Sequence, residues 1–287
     1  MSNNATQVPL VAILNPNSGP GSSKNTTFVS DVATLHGGGG KVIGYFPTGY
    51  GTTNLSQVTN WINSYVSWYS VDGFFIDEMA NNNNASNLNY YAAIYQYIKG
   101  INTNYSVTGN PGAPTQESYL TTPTADRLMI FKDESTNYPG YVPSRWVTNH
   151  LAKQFVNVCY GSGLNSTTMS NFMGLASNRN AGWIYFTDAD LPNPYSTLPS
   201  YWAGEVGLVQ SLNQSAPATQ ITIAGITNSI PSLKITGAPG VYEIQMASAT
   251  NFSNWMQLQL LNMPAGTGTI SDASALNRSN SFYRTLQ

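Results

Sequence analysis

Seven short apolar runs separated by amphipathic stretches limit most strongly how this chain can fold. They cover residues 8–14, 41–46, 71–76, 106–109, 127–131, 155–160 and 183–187. Between them, Leu55, Val58, Trp61, Ile62, Tyr65 and Val66 recur at the three- and four-residue spacing of one helix face, as do Leu88, Tyr91, Ala92, Tyr95 and Ile98. Near-continuous apolar strands alternating with helices predict a parallel sheet buried on both faces. The expected fold class is α/β, a (β/α)8-type TIM barrel that lacks its first strand, because only seven runs are present. Polar residues gather just after the strand ends, at Asn15, Thr48, Asp77, Glu78, Asn110, Lys132, Asp133 and Asp188. That is the end at which barrels carry their sites.

The pattern changes after residue 210. Residues 211–219 read as a linker, and 220–224, 233–236, 241–246, 256–261 and 282–285 alternate with period two between Pro, Gly and Asn. This predicts a small antiparallel β-sandwich domain over 220–287 behind a barrel over 1–210.

Composition removes several function classes. Net charge is −2 with no basic run, which leaves no electrostatic footprint for nucleic acid. No apolar run approaches the roughly 18 residues of a membrane span. The start, MSNNATQVPL, lacks the charged and apolar regions of a signal peptide, so such a peptide is expected to be absent or already removed. The single Cys159 excludes an internal disulfide framework, and its apolar strand makes it a small core residue. His36 and His150 have no partner at helical spacing, so no metal is expected. NPNSGPGSSK lacks the Gly-Lys-Ser/Thr ending of a phosphate loop and GNPG is no dinucleotide fingerprint, so no cofactor is expected. Charged residues are only 8% of the chain, far below the usual quarter, and hydroxyl and amide side chains take their place. That surface predicts an extracellular or cell-surface location. Nine N-x-S/T sequons, at Asn4, Asn25, Asn54, Asn84, Asn104, Asn165, Asn213, Asn251 and Asn277, are candidate glycosylation sites.

NPNSGPG (15–21), GYFPTGYG (44–51), VDGFFIDE (71–78), GNPG (109–112) and FTDADLPNPYSTLPSYW (186–202) occur in the order seen in the spherulin-4 family, which the chain resembles. The resemblance implies a (β/α)8 barrel related to secreted glycoside hydrolases that cut α-linked, galactosamine-containing exopolysaccharide. It places Asp77 and Glu78 in the active site and Asp188 in the family's Thr-Asp position. Three departures stand out. Family members carry a strand before the segment matching NPNSGPG. They usually have a glutamate where Lys132 follows Phe131, and an arginine in the motif where Pro47 and Thr48 stand here. The C-terminal segment resembles β-modules of secreted bacterial proteins.

Glycosidic cleavage normally needs two carboxyl groups flanking the bond. Neighbours on an extended strand point to opposite faces, so Asp77 and Glu78 share a site only if the strand bends after Ile76. Asp133, Glu134 and Asp188 are possible additional acids. Tyr45, Tyr50, Tyr138, Tyr160, Tyr185, Tyr195 and Trp202 lie at or beyond strand ends, where rings stack on sugars. Asn15, Thr48, Asn110 and Lys132 supply polar contacts to substrate. The expected partner is a polysaccharide or attached glycan. The alternative is a catalytically silent structural or fibre-forming subunit, whose open barrel edge is completed by a neighbouring chain or by the C-terminal β domain. A bland reading also stands, in which Asp77 and Glu78 cap the following loop.

Overall fold

The computed structural model describes residues 1–248, 254–278 and 280–286. The seven strands are β1 (Val11–Leu14), β2 (Lys41–Pro47), β3 (Gly73–Asp77), β4 (Ser106–Gly109), β5 (Arg127–Glu134), β6 (Phe155–Tyr160) and β7 (Trp183–Phe186). They pair in parallel, each with the next in sequence. The helices are α1 (Ser2–Ala5), α2 (Thr26–Gly37), α3 (Leu55–Tyr69), α4 (Ala85–Ile101), α5 (Ser118–Thr121), α6 (Ser166–Asn178) and α7 (Trp202–Ser215).

One sheet face packs against the helices through Val42, Phe46, Phe74, Ile76, Val107 and Leu128. The opposite face carries Ile43, Phe75, Met129 and Val158, between 2% and 5% exposed and packed among Val11, Tyr45, Val156 and Tyr185 of the strands themselves. The sheet therefore curls over its own inner face. It does not close, because no strand among the described residues pairs β7 with β1.

α7 seals part of that seam with side chains. Glu205 accepts from the backbone N–H of Phe186 at 3.0 Å, and the Tyr201 hydroxyl donates to the Phe186 carbonyl at 3.2 Å. Both backbone groups of Phe186 thus find side-chain partners where a neighbouring strand would otherwise stand. The Trp202 indole N–H reaches Asn4 Oδ1 at 2.9 Å, tying α7 to the N-terminal turn.

The remaining strands are β8 (Gln220–Thr227), β9 (Ile230–Thr236), β10 (Gly240–Ala247), β11 (Met256–Met263), β12 (Thr267–Ser271) and β13 (Phe282–Leu286). They form two three-stranded antiparallel sheets around Leu233, Ile235, Tyr242, Ile244, Met263 and Ile270. Neither sheet lends a strand to the seam, which removes the expectation that the C-terminal part fills it. α7 runs on through Ser215, so the first half of the segment read as a linker is helix. β12 escapes the period-two reading because Ile270 is its one large apolar residue.

Helix capping accounts for much of the sequon pattern. Asn25, Asn54, Asn84 and Asn165 are N-caps whose side-chain oxygens accept from the backbone N–H two residues on. Asn is among the preferred N-cap residues, and a Ser or Thr two positions later sits comfortably in the first turn. Asn4 is engaged by Trp202, while Asn104, Asn213 and Asn277 are exposed. Asn251 lies outside the described residues.

Candidate active site

β3 is apolar on both faces until Asp77, its last residue. Glu78 follows with φ of +51°, in the left-handed region that costs a non-glycine residue about 1–2 kcal/mol. This is the bend that the two carboxylates require. Thr48 holds it. Its backbone N–H donates to the Asp77 carbonyl at 3.0 Å, and its hydroxyl lies 3.0 and 2.9 Å from the carbonyls of Asp77 and Glu78. The Tyr91 hydroxyl meets Thr48 Oγ1 at 3.1 Å and accepts from the Ala80 N–H at 2.9 Å. The Tyr50 N–H closes the turn on the Glu78 carbonyl at 2.8 Å.

Both Asp77 oxygens are taken. Tyr45 donates to Oδ2 and Asn110 to Oδ1, each at 2.6 Å, so the carboxylate has one orientation. Burial, then the hydrogen bond to Asp77 and the charges of Asp77 and Glu78, push the Tyr45 hydroxyl far above its ordinary value, and it remains a donor. The exposed Glu78 accepts from the Gly49 N–H at 3.1 Å through Oε2. Lys132 lies over the Tyr195 ring at 5.5 Å, and Tyr195 packs against Tyr185 with centroids 6.3 Å apart. The Tyr185 hydroxyl donates to the Thr197 carbonyl. Burial, followed by the neighbouring charges of Tyr160 and Asp77, raises the Tyr195 hydroxyl well above its usual range. Asp77, Tyr45, Asn110, Lys132, Tyr185 and Tyr195 thus gather at the C-terminal end of the strands.

Other candidates fall elsewhere. Thr48 is completely enclosed, so it sets the backbone of the site and cannot touch substrate. Asn15 accepts from the Gly19 N–H and shapes its own loop, while Tyr50 is exposed at the rim. Tyr138 is fully buried beside Asn157, and Trp202 packs into the helix-side core, which takes both out of the aromatic set. Asp133 accepts from the Glu134 N–H and from Asn137, both in the turn after β5. Asp188 accepts from the Ser200 hydroxyl and N–H. Burial alone would raise its carboxyl, but those two bonds hold it below the usual range. Glu134 lines a separate polar cavity of about 260 Å³ with Tyr160, Ser162 and Asp190. Cys159 is buried, and burial pushes its thiol far up, away from nucleophilic chemistry.

Two residues that shape this end were missed. Tyr91 reads as one more apolar position of a helix face, and only the fold brings its hydroxyl under the Glu78 turn. Glu205 carried a signal, a single acid inside the apolar WAGEVGLV, that went unused.

The profile of Spherulation-specific family 4 matches residues 1–209. Spherulin-4 of Physarum polycephalum is 30% identical over 219 residues, 72% of this chain and 64% of that protein, so the chain spans just under two thirds of its relative's length. Among solved structures, Aspergillus clavatus Sph3 in complex with GalNAc superposes with a TM-score of 0.64 at 21% identity, over 71% of this chain and 87% of Sph3, a likeness of fold. With its profile matched across the whole parallel sheet and α1 to the middle of α7, the chain belongs to the spherulin-4 family.

Proposed function

We propose that this chain is an extracellular, glycoside hydrolase-like protein that takes α-linked, galactosamine-containing exopolysaccharide at the open end of its parallel sheet. The observation that carries the reading is Asp77, gripped on both oxygens by Tyr45 and Asn110 at a strand end faced by Tyr185 and Tyr195. Such a carboxylate is positioned to stabilise the positive charge that develops on a sugar ring during glycosidic cleavage. Glu78, on the turn beside it, is the second carboxyl group. The GalNAc held by Sph3 supports an amino sugar as the unit recognised. The test incubates α-1,4-linked galactosamine polymers with wild type, Asp77→Asn and Glu78→Gln. Oligosaccharide release by wild type alone is the expected result. Binding without release would leave a lectin-like role, and neither binding nor release would overturn the reading.

A second reading, a silent subunit that accepts a neighbour's strand, draws on the unpaired side of β1, where Ile13 is 45% exposed. Size-exclusion chromatography separates the two, since a monomer at high concentration excludes assembly through this edge. Exposed sequons at Asn104, Asn213 and Asn277 would carry the glycans of an exported form.

A further inference from the structure

A register slip in β5 decides which acid at its end turns toward the inner face. Met129 lies opposite Val156, Phe131 opposite Asn157, Lys132 opposite Val158 and Glu134 opposite Tyr160, with Ile130 as the extra residue. Strict alternation from the inward-facing Met129 would turn Phe131 and Asp133 inward. The bulge reverses this. Phe131 packs with Tyr138 and Phe172 on the helix side, while Lys132 and Glu134 take the inner face shared with Val158 and Tyr160. Bulges re-aim side chains in this way beside functional sites.

Glu134 so becomes one wall of the cavity of about 260 Å³, and the loops after β6 and β7 supply Tyr160, Gly161, Gly163 and Asp190. The Ser162 N–H donates to Asp190 Oδ1 at 2.8 Å and the Gly161 N–H to the Ala189 carbonyl at 3.0 Å, which holds the two loops together. Ser135 also lines the cavity. It is 6% exposed, and its hydroxyl has no hydrogen-bond partner among the described residues. Glycines keep the space beside it open. A Cβ on Gly163 would stand 3.3 Å from Ser135 Oγ, and one on Gly161, whose φ is +120°, 3.5 Å from it. Neither Glu134 nor Asp190 forms an ion pair among the described residues. Lys132, the nearest cation along β5, lies over Tyr195 in a mouth that already holds Asp77 and Glu78. Tyr195 neighbours both Asp77 and Tyr160, which sets the cavity beside that mouth.

We propose that this cavity is a subsite for one amino-sugar unit whose amine is free, its ammonium shared by Glu134, Asp190 and the Ser135 hydroxyl. The proposal rests on the mouth being a glycan site and names the neighbouring unit that it reads. A protonated amine has three donors, one for each of these side chains, and its bonds to the two carboxylates are charge-assisted. N-acetylation would remove the charge and add an acyl group. The volume lies just below the roughly 300 Å³ at which small-molecule pockets begin, which suits one pyranose and not a run of them.

The test is calorimetric binding of two α-1,4-linked galactosamine oligomers of equal length, one fully and one partly N-acetylated. Wild type is expected to bind the partly acetylated oligomer about tenfold tighter, with the margin shrinking at high salt. Asp190→Asn keeps the acceptor for the Ser162 N–H and should cut the margin to about threefold, and adding Glu134→Gln should remove it. Gly163→Val takes away no charge but fills the space beside Ser135, and it should remove the margin too. A diffuse attraction of amines to the acids of the mouth would survive that change. Thermal melts confirm that each variant is folded. Equal binding of the two oligomers by wild type, or a margin that persists in Gly163→Val or in the double variant, overturns the proposal. If that occurs while Asp77→Asn still weakens binding of the fully acetylated oligomer, the glycan site stands without this subsite. Binding of neither oligomer overturns both.

Discussion

Tyr45 shows how one side chain joins packing to chemistry. Its ring stacks on Phe75 at 6.1 Å inside the curled sheet, and its hydroxyl fixes Asp77. Tyr45→Phe keeps the ring and leaves Asp77 Oδ2 without its donor. A hydrogen bond to a charged group is worth about 1.5–3 kcal/mol. Glycan affinity or turnover should therefore fall by about tenfold or more, and the urea midpoint should fall with the loss of that bond. A variant with undiminished function would remove Tyr45 from the site. At this scale the acidic pair was legible, because VDGFFIDE ends an apolar run in two carboxylates. The role of Thr48 was not, since a threonine after a strand looks the same whether it faces sugar or props a turn from beneath.

Among the elements, the β7 edge carries the clearest physical conflict. Strand edges need partners, and Glu205 supplies one at the cost of burying a carboxyl group that is 2% exposed, with Oε2 unpartnered. Burial, opposed by the Phe186 N–H, pushes its pKa up from 4.5 to about 7. Between those two values the folded chain holds a proton that the unfolded chain has released. The resulting stability is complete below about pH 4.5 and is lost as pH rises through 7, a change on the order of 3 kcal/mol. Asp72, Asp188 and Asp272, all held below the ordinary carboxylate value, act only at lower pH and leave this window clear. Denaturant titrations should show wild type gaining stability from pH 8 to pH 5, with Glu205→Gln nearly flat. Equal slopes would place the proton elsewhere. The strands and helices themselves were legible from period and length. The capping by Tyr201 and Glu205 was not, because those residues lie 15 and 19 positions beyond Phe186 and meet it only when α7 folds back.

At the scale of the whole molecule, the parallel sheet and the C-terminal sheets have separate apolar cores. In the latter, fully buried Asp272 is held by Arg278, Ser274 and Tyr283. Breaking such a buried pair costs about 3–5 kcal/mol. Asp272→Asn should lower one calorimetric transition and leave the parallel sheet's transition in place. A single transition that moves as a unit would show the two parts to be one cooperative body. The order of elements, the open parallel sheet, the change to antiparallel strands and the family all followed from the amino-acid sequence, because periodicity and motif order are properties of a linear chain. Tertiary structure decided which face each polar residue serves. The turn at Glu78, the enclosure of Thr48, the inward aim of Lys132 and the edge cap from Glu205 depend on backbone register and on contacts between distant segments. One residue of slip in β5 reverses the face of Lys132, and no local pattern encodes it.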